Sequence, residues 1–144
     1  METPASKDLL SEKLFEISKK KQTPSSQKTI LLIDDDMAYL KQLNSYLKDS
    51  YRAVMVNSGK LALNFLKKNT PDLILLDYQM PQYTGAQLMK EIETEYPQKK
   101  VPVILLTGTI SEDTLKEFDS YVPVACLKKP VVREVLLEEI KKIL

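Results

Sequence analysis

Polar residues stand directly after four apolar runs, and their types suit the handling of a phosphoryl group. Asp34-Asp35-Asp36 follows Ile30-Leu31-Leu32-Ile33, and Asp77 follows Leu73-Ile74-Leu75-Leu76. Thr107 follows the run from Val101 to Leu106, and Lys129 comes just after the run ending at Leu127. Two unit charges about 4 Å apart repel by roughly 4 kcal/mol at an effective dielectric near 20. Carboxylates brought together therefore call for a cation, and a hard divalent ion with oxygen ligands answers that need. One carboxylate can then serve as a nucleophile, while a hydroxyl and an ammonium take up phosphoryl oxygens.

That chemistry requires the runs to be strands ending on one edge. Their unbroken apolar character is what a strand shows when both faces are covered. Strands at 29–34, 52–56, 72–77, 101–106 and 124–127 alternate with helices at 36–49, 59–68, about 85–95, about 112–119 and 131–144. The first helix carries Met37, Leu40, Leu43 and Leu47 on one stripe. Asp36 and Ser111 read as N-caps, and Gly85 lets the 82–86 loop turn back toward its helix. Such alternation predicts an α/β fold with a doubly wound parallel sheet. In that architecture ligands bind outside the carboxyl ends of the strands.

Composition narrows the function classes. The chain has 144 residues, enough for one full core, with 43% hydrophobic and 28% charged residues. It contains no His, which excludes a His triad, a His-ligated metal and a phosphohistidine carrier within these residues. Its three glycines, at 59, 85 and 108, form no Gly-rich loop for a nucleotide. The net charge of +1 argues for neither nucleic acid nor membrane binding. The single Cys126 cannot form an internal disulfide, which fits a reducing cytoplasm. No apolar run approaches the roughly 18 residues of a membrane span, and Met1-Glu2-Thr3-Pro4 lacks a signal-peptide pattern. Residues 1–28 read as an extension and linker: Leu10, Leu14 and Ile17 suggest a short amphipathic helix over 7–20, before a polar stretch at 22–27. That helix is either a weakly docked extension or a partner-binding or dimerising element.

Segment 29–144 resembles the receiver domain of bacterial two-component response regulators, with the flavodoxin-like fold of the chemotaxis regulators. The matching motifs are Ile33-Asp34-Asp35-Asp36, Leu75-Leu76-Asp77-Tyr78-Gln79-Met80-Pro81 with Gly85, Leu106-Thr107-Gly108, and Leu127-Lys128-Lys129-Pro130. The resemblance implies a five-stranded sheet of order 2-1-3-4-5. It implies Asp77 as phosphoacceptor and metal residue, Asp35 as a direct Mg²⁺ ligand, Asp34 holding a metal-bound water, and the backbone carbonyl of Gln79 as a further ligand. Thr107 would donate to the phosphoryl group and Lys129 would pair with one of its oxygens. The implied partners are a sensor histidine kinase or phosphotransfer protein, and a downstream target or separate output domain. A homodimer through the last strand and flanking helices is left open. Such a domain is not an enzyme beyond its own phosphorylation and autodephosphorylation. After the last strand only one helix remains, so no output domain is expected within these residues, whether the chain stands alone or is part of a longer regulator.

Two positions depart from the family pattern. Cys126 occupies the place, three residues before Lys129, where the family usually has Tyr or Phe, and Tyr121-Val122-Pro123-Val124 stands where Gly-Ala is commoner. Cys126 reads as a buried structural thiol, and Tyr121 is a candidate substitute for the missing ring. Tyr78 and Gln79 are expected to border the site, and Lys128 to be solvated. The main alternative is a phosphorylation-independent interaction module with a vestigial site. An Asp-x-Asp phosphatase of the haloacid dehalogenase type fits less well, since Ala38 stands where that family has Thr or Val.

Overall fold

The computed structural model describes residues 27–81, 84–118 and 121–144. The expected helix at 7–20 and nearly all of the linker at 22–27 lie outside the described residues. Strands β1 (Thr29–Ile33), β2 (Arg52–Val56), β3 (Leu73–Asp77), β4 (Val103–Thr107) and β5 (Ala125–Lys128) alternate with helices α1 (Met37–Leu47), α2 (Gly59–Lys68), α3 (Gly85–Glu95), α4 (Glu112–Leu115) and α5 (Arg133–Ile143). The strands form one parallel sheet in the order β2-β1-β3-β4-β5, as the resemblance implied.

Side-chain alternation splits each central strand between two cores. Leu31, Ile33, Ile74 and Leu76 join Ala62 and Leu66 of α2 and Leu88, Met89 and Ile92 of α3 on one face. Ile30, Leu32, Leu73 and Leu75 join Leu40, Leu43 and Leu47 of α1 and Leu136 and Ile140 of α5 on the other. Both faces are therefore covered, which is why β3 and β4 carry no polar residue before their last position and β1 carries none after Thr29. β5 lies on the sheet edge, and its residues are half-buried or exposed.

Helix starts follow local chemistry. The Asp36 carboxylate accepts from the Ala38 and Tyr39 N–H groups at 3.0 and 3.3 Å, and Ser111 Oγ accepts from Thr114 N–H at 3.2 Å. Both act as the expected N-caps. Thr84 and Gln87 form a reciprocal capping box at the start of α3. Several boundaries shift by one or two residues from expectation, and two differences have a clear local cause. β4 begins at Val103 rather than 101, since Pro102 carries no N–H for the ladder. α4 spans four residues rather than eight and buries none of them, so no apolar face holds a longer helix there. Among the described residues, no helix is long and apolar enough to cross a membrane.

Candidate functional site

The site sits where the winding of the sheet reverses. The chain leaves β1 toward β2 on one side and leaves β3 toward β4 on the other, so the loops after β1 and β3 diverge and open a crevice. Register completes the placement. Ile33 pairs with Leu76, so the next residues, Asp34 and Asp77, are neighbours across the strand ends. Asp77 pairs with Leu106, and Thr107 pairs with Lys128. One cleft is consequently lined by Asp34, Asp35, Asp77, Gln79, Thr107 and Lys129, together with Asp36 and Gly108.

Within it, one carboxylate oxygen from each of Asp34, Asp35 and Asp77 lies within 4.8 Å of the other two. Asp34 and Asp77 are buried, at 1% and 4% exposure, while Asp35 faces solvent. Lys129 reaches into the cluster, its Nζ donating to Asp34 Oδ2 at 2.9 Å and to Asp77 Oδ1 at 3.2 Å. The other Asp34 oxygen accepts from Asp36 N–H at 2.9 Å. Thr107 is buried, and its hydroxyl donates to the Thr109 carbonyl at 3.0 Å. The Lys129–Pro130 peptide bond is cis.

The carboxylates are not fully compensated. Burial, and then the charge of Asp34, push the Asp77 carboxyl up from 3.8 to about 6, against the opposing pull of Lys129 and of the Gln79 N–H. Burial also works against the Lys129 ammonium, but its bond to Asp34 and the charge of Asp77 outweigh that and hold its pKa above the ordinary value. A buried carboxyl that still carries a penalty beside two others, with oxygen donors throughout, fits a hard divalent cation. The donor set contains no sulfur or imidazole that would favour a softer metal.

Several neighbours stand differently from their sequence reading. Tyr78 does not line the cleft. Its ring joins the core beneath α3, and its hydroxyl donates to Glu117 Oε2 at 2.5 Å. Burial and the Glu117 carboxylate push its pKa up to about 12. The cause is strand parity: Asp77 points to the crevice, so the next residue points away. Cys126 is half-buried rather than buried, and burial pushes its thiol up, away from thiolate reactivity. Tyr121 does not replace the missing ring near Thr107. Its hydroxyl donates to the Val101 carbonyl at 2.5 Å, six residues and about 20 Å of extended chain from Thr107. Lys128 is exposed, as expected.

Tyr39 was not singled out from sequence, yet it touches the site: Lys129 Nζ lies 4.5 Å from its ring centroid. Its place beside Leu40 on a first helix that must cover the strand ends was the available signal.

Gly85 leaves no room for a side chain beside the end of β3. A Cβ there would meet the Asp77 carbonyl oxygen at 3.1 Å, with Leu76 Cδ2 and the Tyr78 Cα both at 3.2 Å. Two of these three are backbone atoms that cannot swing aside. Gly85→Ala is expected to destabilise the fold by about 1–3 kcal/mol, whereas Gly108→Ala, whose Cβ meets nothing within 4 Å among the described residues, should be close to neutral. Thermal melts of both variants check the contrast.

Comparison with known proteins gives the same frame. The family model of the response regulator receiver domain matches residues 30–141. The solved structure of chemotaxis protein CheY4 from Vibrio cholerae superposes with a TM-score of 0.76 at 26% identity, covering 82% of this chain and 99% of that one. A CheY-like receiver domain protein from Methanospirillum hungatei gives 0.73 at 27%, covering 81% and 93%. The 3′,5′-cyclic-nucleotide phosphodiesterase regA of Dictyostelium discoideum is 33% identical over 131 residues, covering 83% of this chain and 16% of its own length. This chain spans about a third or less of the first curated relatives it matches, so what is shared with them is one module. With the sheet order, the crevice at the ends of β1 and β3 and a family match over 30–141 in agreement, the chain belongs to the response regulator receiver domain family.

Proposed function

We propose that this receiver takes a phosphoryl group onto Asp77 from a phosphohistidine on a separate histidine kinase or phosphotransfer protein, and that this switches its binding to a protein partner. The observation that carries the reading is the convergence of Asp34, Asp35 and Asp77 around the Lys129 ammonium. An oxygen of Asp77 attacks phosphorus, a P–O bond forms, and the P–N bond to imidazole breaks with its electron pair left on nitrogen. Phosphoryl transfer needs in-line placement and charge stabilisation more than a base. Asp34, Asp35 and Asp77, with the Gln79 backbone carbonyl, would hold Mg²⁺. When bound, Mg²⁺ neutralises charge on the carboxylates and the phosphoryl oxygens. Lys129 pairs with one phosphoryl oxygen, and Thr107 exchanges its bond to the Thr109 carbonyl for one to another. Gly108 keeps the approach beside Thr107 clear, since no atom of the described residues occupies the space a side chain would take.

The product would be an acyl phosphate, which dictates the test. Incubation with Mg²⁺ and phosphoramidate, a small P–N donor, is expected to add one phosphoryl group that hydroxylamine removes and that maps to Asp77. A label that survives hydroxylamine, or that maps elsewhere, would overturn the assignment.

A further inference from the structure

We infer that Tyr39 is a positioning residue for Lys129, holding the ammonium at the cleft through its ring and the following turn through its hydroxyl. The inference deepens the proposed phosphoryl-transfer function and rests on it. Two separate contacts from one side chain carry it. The Lys129 Nζ lies 4.5 Å from the centroid of the Tyr39 ring, within the range of cation–π attraction. Two residues on, Val131 N–H donates to the Tyr39 hydroxyl at 3.2 Å. The Lys129-Pro130-Val131 turn is thus gripped at its charged end and at its backbone by one residue of α1. The start of the turn is held by the sheet, where Lys129 N–H donates to the Thr107 carbonyl at 2.8 Å.

The ring supplies something the carboxylates cannot. Among the described residues Lys129 has two anionic partners, Asp34 and Asp77, and both are also candidate ligands of a divalent cation. A hard cation competes for those oxygens but has little use for an aromatic face. Tyr39 is therefore a neighbour of the ammonium that such a cation would not take, and it keeps Lys129 local when the carboxylates are engaged elsewhere. Lys has a long flexible stem, so without the ring the ammonium would spread over more rotamers.

Three readouts test this on the full chain. In metal-free protein, the Lys129 Hε protons are expected to be shifted upfield by the ring in wild type and in Tyr39→Phe, and to return to ordinary lysine positions in Tyr39→Leu. Tyr39→Phe should speed hydrogen exchange at the Val131 amide while leaving the ring shift in place. In a double-mutant cycle with Mg²⁺ and phosphoramidate, Tyr39→Leu should slow phosphorylation about 3- to 10-fold when Lys129 is present. It should have almost no effect in the Lys129→Met background. Equal slowing in both backgrounds would reduce Tyr39 to a structural residue and overturn the inference. So would unshifted Lys129 protons in wild type, a readout that needs no variant to fold. If Lys129→Met itself leaves the rate unchanged, the phosphoryl role of Lys129 falls, and the positioning role falls with it. If Lys129→Met slows the reaction and Tyr39→Leu does not, only the role of Tyr39 fails.

Discussion

Asp77→Asn is expected to lose phosphoryl acceptance to background and, at the same time, to make the metal-free protein more stable at pH 8. The first effect follows from chemistry: a carboxamide is not a competent nucleophile toward phosphorus. The second follows from linkage. The Asp77 carboxyl is raised from 3.8 to about 6 by burial and by Asp34, so the folded protein binds its proton more tightly than the unfolded chain does. The contribution of Asp77 to wild-type stability is therefore most favourable while it is protonated and falls as the pH rises from about 4 through 6. Above that window the full penalty is present, on the order of 2–3 kcal/mol at about 1.4 kcal/mol per pH unit. Asn carries no charge and escapes the penalty, so its advantage should be a few kcal/mol at pH 8 and should shrink toward pH 4. A shift of several degrees in melting midpoint is the scale to look for. Mg²⁺ should raise the midpoint of the wild type more than that of the variant, because a carboxylate ligand has been removed. Melts in chelator and in Mg²⁺ at pH 4, 6 and 8 decide it. A variant less stable than wild type at pH 8 in chelator would mean that the Asp77 charge is compensated in the fold.

Lys129→Met is expected to act in the opposite direction on stability. The Lys129 ammonium is the cation paired with both Asp34 and Asp77, at 2.9 and 3.2 Å, and those carboxylates are buried. Met keeps the apolar stem and removes the charge. Breaking a buried pair by deleting one partner costs about 3–5 kcal/mol. Lys129 retains 24% side-chain exposure, so the expected loss is about 2–3 kcal/mol at pH 8 in chelator. The pull of Lys129 opposes the upward shift of Asp77, so removing it should carry the Asp77 pKa above 6. The destabilisation is then smaller at pH 5, where the carboxyl is protonated and needs no cation. Mg²⁺ should restore part of the loss by supplying positive charge to the same oxygens. Phosphorylation by phosphoramidate should slow even with Mg²⁺ saturating, because the metal does not replace the ammonium on the phosphoryl group. A midpoint within a degree of wild type at pH 8 in chelator would show that the two ion pairs contribute nothing net.

Much of this molecule was legible in the chain. The apolar runs before Asp34, Asp77 and Thr107 announced strands covered on both faces, and those runs form the three central strands. Asp36 and Ser111 read correctly as caps because an N-cap is a local contact, made within three residues. The box of Thr84 and Gln87 carries the same kind of signal and could have been read in advance. Strand ends were less exact where a local rule intervened, as at Pro102.

What the sequence by itself determined is what depends on near neighbours: the order of elements, the alternation of faces, and which polar residues close which strands. The direction of each long side chain was decided by tertiary structure. Tyr78 adjoins Asp77 in sequence, yet strand parity sends it to Glu117 on the far side of the sheet. Tyr39 is 90 residues from Lys129, yet the packing of α1 over the strand ends sets its ring against the ammonium. Tyr121 could not take the place of the ring missing at Cys126, because its bond to the Val101 carbonyl holds it at the opposite end of β4. A side chain reaches several ångströms from its backbone, and its partner is settled by whichever distant element is packed within that reach.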